Sequence, residues 1–334
     1  MLRNLNRLMQ ITVKRKILIL TLISAAAVFC LYLLLQYQRN KDTVTMVMGG
    51  RFYKQVTVDG SNIISDMKPD IEKYFRPSKL PALNDRFSWR FFDPYFGKNP
   101  SEISIPDKLL STPEETVINY FSILREAANP QPGKEAGCGS IGYGDQPYPV
   151  TYNFLSSSYQ NKLSFEQYKK TFQNIYHISL IKYRQVPLYD NTENIIRYFV
   201  ELETIEGTEK GTAVFGYYYG FIDMIKEKGQ YKIINLEYHG EDFLCAPYHG
   251  WYHDALANVQ IRYGGWCSMV KEMYPVMQRD YVLNISFAGN DGKDYLIVFY
   301  KLTNDTDIEI AQYVKEKSGS WQLTKLEPEK CIKD

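Results

Sequence analysis

Three of the four histidines and two of the five cysteines lie within residues 239–267. Four of these residues carry the ligand atoms that zinc prefers and could close a tetrahedral site: Cys245, His249, His253 and Cys267. A helix would place His249 and His253 on one face, because they are four residues apart. Pro247 and Gly250 interrupt such a helix, and the spacing is not a standard zinc signature. We therefore predict no metal site. If the chain does bind a metal ion, these four residues are the candidate ligands.

The cysteines of this stretch also suit a disulfide bond. On the oxidising side of a membrane, Cys245 could bond Cys267 while the neighbouring aromatic rings pack the junction between two domains. Cys138 and Cys331 would then remain, and four cysteines allow three pairings. We favour the bond between Cys245 and Cys267, and we expect Cys30 to be inert.

Two further sequence features could support catalysis: a Cys/His pair and a glycine-rich segment. Cys245 could act as a nucleophile with His249 or His253 as its base, but no neighbouring residues indicate an oxyanion hole or an orienting third group. The glycine-rich residues 137–144 resemble a phosphate-binding loop but lack its lysine and a preceding strand. We predict no catalytic residues and no cofactor.

The chain begins with a pattern typical of a membrane anchor. Residues 17–35 contain no charged side chain, and at about 1.5 Å per residue a helix of this length nearly spans a hydrocarbon core of about 30 Å. Only basic charges precede it: Arg3, Arg7, Lys14, Arg15 and Lys16. The positive-inside rule predicts a cytoplasmic tail (1–16), a transmembrane helix (17–35) and an extracytoplasmic remainder. A cleaved signal peptide is the alternative, but its apolar region is usually only about 7 to 15 residues long.

Composition limits the binding partners and the domain number of the part that follows the anchor. The formal net charge of the chain is +1, so the protein has no strong positive field that would attract nucleic acid. The 28 tyrosines suit sheets with half-buried faces. After the anchor, the remaining length favours two folded units.

Local patterns divide the rest of the chain. Residues 36–110 suggest a stalk that packs on the first domain, and their aromatic run at 86–96 suits either that packing or an interface. Thr112-Pro113-Glu114-Glu115 predicts a helix start with Pro at its first position. Further helical spacing occurs on both sides of residues 156–158. Strand patterns follow at 178–186, 195–204, 212–225 and 231–238, and again at 281–287, 295–302, 307–315 and 321–326.

Three segments of this order resemble the NTF2-like (cystatin-like) superfamily over about residues 108–240: residues 112–121, Phe154-Leu155-Ser156 and residues 163–168. The resemblance implies an α+β domain in which a bent antiparallel sheet wraps a long helix to form a cone, here at 111–243. A smaller antiparallel α+β domain would follow at 244–334. The superfamily includes enzymes and non-catalytic members, and its membrane-anchored members resemble envelope and conjugation components. An Asp/His pair on adjacent strands is not found here, and we expect His177 to be structural.

The sequence therefore favours a non-enzymatic, single-pass envelope protein that binds or assembles with a protein partner or with copies of itself, such as a conjugation or secretion subunit. The alternative is a hydrolase or a small-ligand or metal-binding protein that uses the cone cavity or the His/Cys-rich junction. A cavity lined by Asp, Glu and His would favour the alternative. A cavity filled by Tyr and Phe would favour the assembly role.

Overall fold

The computed structural model describes residues 45–53, 79–131, 144–189, 194–241 and 250–332. All of these except Thr45 belong to one compact unit, residues 46–334. The predicted membrane span lies outside the described residues, as do Cys138, Cys245 and His249. Within the described ranges, no helix is long and apolar enough to cross a membrane.

The first sheet has six strands in the order β1-β2-β6-β5-β4-β3. Their bounds are β1 Met46–Val47, β2 Gly50–Tyr53, β3 Ile175–Val186, β4 Ile196–Gly207, β5 Ala213–Glu227 and β6 Gln230–Gly240. Strands β3 to β6 form an antiparallel meander. Strand β2 adds to β6 in parallel, with Phe52 opposite Tyr238.

The second sheet follows in the chain and is antiparallel throughout its described pairings. Its strands are β7 Val270–Met273, β8 Met277–Arg279, β9 Val282–Gly289, β10 Asp294–Lys301, β11 Asp307–Lys315 and β12 Trp321–Leu323. The order is β12-β11-β10-β9-β7, and β8 also pairs with β9. Side chains of β9 alternate strictly between buried and half-buried, as expected for a strand with one core face.

Short helices complete the fold. They are α1 Pro113–Leu124, α2 Pro147–Tyr152, α3 Ser157–Gln160, α4 Phe165–Lys170 and α5 Ala255–Val259, which continues into a π-helix at Gln260–Trp266. Isolated 3₁₀ turns occur at Trp89–Tyr95, Pro100–Glu102, Asp107–Leu110, Trp251–His253 and Pro328–Cys331.

The predicted start of α1 is confirmed. The Thr112 hydroxyl accepts a hydrogen bond from the backbone N–H of Glu115 at 3.1 Å, and Pro113 is the first helical residue. The carboxylate of Glu115 does not complete a capping box, because it instead accepts bonds from Arg86 and Asn119.

The predicted α+β class with an NTF2-like cone is wrong for the described chain, none of whose helices could span a membrane. The structure is mostly β-sheet: its longest helix has 12 residues, whereas β3 to β6 have 11 to 15 residues each. The apolar spacing overestimated the helices, because α2 has only six residues and α3 and α4 each begin anew at an N-cap, Ser156 and Ser164. The eight predicted strands agree to within a few residues with β3 to β6 and β9 to β12, whereas β1, β2, β7 and β8 were not predicted.

Two packed layers form around the first sheet. One face of the sheet packs against α1 to α4, and most of the largest buried side chains lie in that layer. The opposite face contacts the second sheet through a separate apolar cluster: Val186, Phe199, Tyr300, Leu302, Ile310 and Ala311. Because the side chains of β4 alternate, Val200 and Leu202 face the helices while Phe199 and Glu201 face the second sheet.

The predicted stalk contributes two strands to the first sheet. These are β1 and β2, which the sequence patterns did not predict. In the aromatic run, Phe92 is buried in the helix layer, while Trp89 and Phe96 are 55% and 70% exposed. The run therefore combines packing with an exposed aromatic surface.

Candidate functional site

A row of polar and aromatic side chains crosses five strands of the first sheet on the face that meets the second sheet. Residues directly opposite one another in a sheet lie on the same face. The strand register pairs them in this sequence: Lys182 (β3), Glu201 (β4), Tyr219 (β5), His239 (β6) and Tyr53 (β2). One end of the row is buried between the sheets, and at the other end Tyr53 is 42% exposed.

The buried end forms a charged cluster of Lys182, Glu201 and Glu241, which we call the junction cluster. The Lys182 ammonium lies 2.6 Å from Glu201 Oε2, and the two side chains are only 9% and 0% exposed. Glu241 follows β6, and its backbone N–H donates to the Tyr217 carbonyl at 2.8 Å. Its carboxyl group lies close enough to that of Glu201 for the two groups to interact electrostatically. The cluster thus brings two carboxyl groups and one ammonium into a nearly dry site.

The second sheet covers this cluster with the loop between β10 and β11, residues 302–306. Leu302, Asn304 and Thr306 are almost completely buried, which is unusual for a loop because its backbone groups then need partners. Some partners lie within the loop, since Leu302 N–H donates to the Thr306 carbonyl at 2.7 Å and Thr306 N–H donates to Asn304 Oδ1 at 3.0 Å. The cluster adds two contacts: Thr303 N–H donates to Glu201 Oε1 at 2.7 Å, and Lys182 Nζ donates at 2.9 Å to the carbonyl of Lys301, which directly precedes the loop. The junction cluster therefore joins the two sheets through polar contacts.

The protonation of Glu241 follows from its surroundings. Burial raises the pKa of its carboxyl well above the ordinary value, and the charge of Glu201 raises it further. The Lys182 ammonium and the backbone of Asn304 act in the opposite direction. The net effect is a raised pKa, so the Glu241 carboxyl keeps its proton to a higher pH than an exposed glutamate does.

The exposed end of the row is an aromatic stack. The His239 ring lies between those of Tyr219 and Tyr53, with centroid distances of 4.7 and 5.1 Å and interplanar angles of 8° and 17°. Its Nε2 is 3.0 Å from Glu237 Oε1. A carboxylate that orients an imidazole is one component of acid–base catalysis, and the same pair also serves as a fixed polar contact on a binding face.

The structure places two of the predicted site residues apart from this row. His253 ends the 3₁₀ turn Trp251–His253, and burial lowers the pKa of its imidazole. Cys267 is bonded to Cys331. This corrects the predicted pairing of Cys267 with Cys245, because the 3₁₀ turn Pro328–Cys331 folds back on the end of the π-helix. The bonded sulfur is also lost as a zinc thiolate.

His177 lies on β3, and its Nε2 is 3.2 Å from the Ser179 hydroxyl. Burial is the main cause that lowers its pKa. Among the described residues, no group of three or more His, Cys, Asp and Glu side chains is arranged to hold a metal ion. Cys245 and His249 lie outside the described residues, so the metal prediction remains open for them.

Aromatic side chains fill the space between the first sheet and its helices. The largest fully buried ones there are Phe92, Tyr120, Phe121, Tyr148, Phe154, Tyr168, Phe172 and Tyr238. Several of their hydroxyls are bonded to one another: Tyr168 donates to Thr151 Oγ1 at 2.9 Å and lies 2.9 Å from the Tyr120 hydroxyl. Tyr159 donates to the Gly49 carbonyl at 2.8 Å, and burial raises its pKa to about 12. This layer is a tyrosine-rich core.

Tyr238 and Tyr168 provide a matched test of that core. The Tyr238 hydroxyl is buried and has no hydrogen-bond partner among the described residues. We expect Tyr238→Phe to leave the free energy of unfolding unchanged or to raise it by up to about 1 kcal/mol, since an unpaired buried hydroxyl is removed. Tyr168→Phe should lower it by about 1 to 3 kcal/mol, because Thr151 and Tyr120 lose their partner. Urea unfolding of both variants tests this, and equal losses would contradict it.

Comparisons with known proteins found no matching family model, no similar curated protein and no similar solved structure. The resemblance to the NTF2-like superfamily therefore has no support beyond the sequence pattern on which it rests.

Sequence analysis missed the cross-strand row. Each member appears as one polar or aromatic residue in an alternating strand, the normal pattern of a solvent-facing side chain. The pairing of Tyr53 with His239 joins residues 186 positions apart through a parallel contact, and no local pattern predicts it. The spacing of Glu237 and His239 on one strand was the single local signal, since alternate residues share a face.

Proposed function

We propose that this chain is a non-enzymatic binding or assembly module of the cell envelope, carried on one N-terminal membrane span with its folded part outside the membrane. The observation that carries the proposal is the tyrosine-rich core. The layer between the first sheet and its helices, where a ligand cavity would lie, is occupied by fully buried rings such as Tyr120, Phe154 and Tyr238. Such a protein recognises partners through its surface.

Two further observations support this proposal. The bond between Cys267 and Cys331 suits an oxidising compartment, which agrees with the extracytoplasmic side predicted from the N-terminal charges. The exposed rings of Trp89 and Phe96 offer an interface, with the Arg90 guanidinium 5.3 Å from the centroid of the Trp89 ring. Trp, Phe and Arg are enriched in protein interfaces.

The hydrolase or ligand-binding alternative depends on one observation. The Glu237–His239 pair, at 3.0 Å, has the geometry of a general base with its orienting carboxylate. Both side chains are about one quarter exposed. Hydrolysis of a reporter ester by the full chain, abolished in His239→Gln, would support this alternative over the assembly role.

Topology is tested first with the full chain in bacterial membranes. A cysteine replaces Ser318, an exposed residue of the β11–β12 turn, or Asn4 of the predicted cytoplasmic tail. A membrane-impermeant maleimide should label Ser318→Cys in intact cells and Asn4→Cys only after lysis, with the unmodified chain as the background. Protection of Ser318→Cys in intact cells would overturn the extracytoplasmic assignment.

Assembly is tested with a photo-crosslinking amino acid at Trp89 or Phe96, and at exposed Glu316 as the matched control. We expect one discrete crosslinked product from positions 89 and 96 and none from position 316. A product of twice the chain mass indicates self-association, and any other discrete mass indicates a protein partner. The absence of a discrete product from both aromatic positions would contradict an interface at this surface.

A further inference from the structure

The junction cluster contains more acceptors than donors. Neither carboxyl oxygen of Glu241 accepts a well-formed hydrogen bond from a described residue, and both are shielded from solvent. Its neighbour Glu201 is a second carboxyl group, which is itself an acceptor when ionised. If one of the two carboxyl groups is protonated, its O–H can donate a hydrogen bond to the other, ionised carboxyl group. A single proton thus gives each group a hydrogen-bond partner.

The charge balance of the cluster also requires one proton. Lys182 contributes a single positive charge and lies 2.6 Å from Glu201. With both carboxyl groups ionised, the cluster would carry a net negative charge in a site from which water is excluded, and burial of an uncompensated charge is costly. With one proton bound, the ammonium and the remaining carboxylate cancel.

Other titratable groups surround the cluster on the described elements. They come from β4, β5 and the second sheet: Glu203, Tyr219, Tyr281, Lys301 and Asp307. Glu203 accepts a hydrogen bond from the Tyr217 hydroxyl at 3.0 Å, and Lys301 Nζ lies 2.8 Å from Asp307 Oδ1. These acids therefore have donors of their own. The carboxyl oxygens of Glu241, in contrast, have no well-formed donor among the described residues.

We propose that a proton shared by Glu201 and Glu241 latches the 302–306 loop of the second sheet onto the first sheet, and that loss of this proton loosens the contact. The loop is attached through Glu201, which accepts from Thr303 N–H, and through Lys182, which donates to the Lys301 carbonyl. A second negative charge at Glu241 would repel Glu201 and draw Lys182 away from that carbonyl. The joint between the sheets is thereby sensitive to pH.

The direction of the effect follows from linkage. The pKa of Glu241 is higher in the folded protein than in the unfolded chain, where a glutamate titrates near about 4.3. The stabilising contribution is therefore complete below the unfolded-state pKa and is lost as the pH rises through the folded-state pKa. The contact between the loop and the first sheet therefore loosens as the pH rises through the folded-state pKa of Glu241.

Hydrogen exchange of the full chain tests the proposal, with peptides that cover residues 302–306 compared over a series of rising pH values that begins below the pKa of an exposed glutamate. Glu241→Gln replaces the shared proton by an amide that can donate to Glu201 at every pH, and Glu316→Gln is the exposed control. After correction for intrinsic exchange, the wild type and Glu316→Gln should lose protection on the order of tenfold per pH unit across the transition. Glu241→Gln should stay protected. The same loss with rising pH in Glu241→Gln would overturn the proposal.

A second measurement does not require the variant to fold. Infrared spectra of the wild-type full chain, with its glutamates labelled with ¹³C, report protonated carboxyl groups directly. A protonated glutamate band that persists above the pH at which exposed glutamates ionise, and that disappears together with the protection of the loop, supports the shared proton. A spectrum in which every glutamate ionises over the same pH range as exposed glutamates would overturn it.

Discussion

Removing the bond between Cys267 and Cys331 is expected to lower the free energy of unfolding by about 4 kcal/mol. The two residues are 64 positions apart, and in the chain-entropy model a crosslink over a loop of that length restricts the unfolded chain by this amount. A protein of this size should lose on the order of 10 °C in Tm. The measurement is thermal unfolding of the full chain and of the double variant Cys267→Ser/Cys331→Ser.

The effect should be concentrated in the second sheet. The bond ties the 3₁₀ turn Pro328–Cys331 to the end of the π-helix, next to Arg262. The Arg262 guanidinium bonds Glu309 of β11 at 2.8 Å and also contacts Glu329 of the same turn. Without the crosslink, the turn can leave and Arg262 loses one of its two carboxylates.

Two controls accompany this experiment. Reductant added to the wild type should reproduce the double variant, while reductant should not change the double variant itself. A wild type whose Tm is unaffected by complete reduction, verified by mass after alkylation, would show that this crosslink does not support the fold.

The strands were predictable because their signal is local. Alternating Val, Ile, Tyr and Phe residues mark β3 to β6 and β9 to β11, and turn residues such as Asn290 and Gly292 delimit them. The parallel addition of β2 to β6 was not predictable, since it joins two segments that are far apart in the chain. The pairing of Cys267 was equally open, because spacing does not select among the three possible pairings.

The candidate site was hidden for a related reason. In the sequence, Lys182 and Glu201 are single charges in alternating strands, and such charges normally face solvent. They are buried because the second sheet packs over that face and inserts the 302–306 loop there. The chemistry of the row thus depends on a contact between two sheets that are formed by different parts of the chain.

Lys182→Met should be one of the most destabilising single substitutions in the described chain. Its side chain is 9% exposed and that of Glu201 is fully buried, so the variant leaves the charge of Glu201 without its cation. Breaking a buried pair in this way costs about 3 to 5 kcal/mol. The matched control is Lys330→Met, which removes a lysine 2.6 Å from Glu327 in a pair whose side chains are 73% and 46% exposed. Surface pairs contribute about 0 to 1 kcal/mol. Urea unfolding of the full chain gives both values.

The double variant Lys182→Met/Glu201→Gln distinguishes the loss of a charge partner from the loss of packing. Glutamine at position 201 keeps an oxygen that can accept from Thr303 N–H, and its amide can donate to Glu241. The double variant lacks both charges of the Lys182–Glu201 pair. We therefore expect the double variant to recover more than half of the stability that Lys182→Met loses. If the double variant is as unstable as the single one, Lys182 acts through its aliphatic chain and its bond to the Lys301 carbonyl. Recovery would instead assign the cost to the uncompensated carboxylate, because both variants lack the aliphatic chain of Lys182 and its bond to the Lys301 carbonyl.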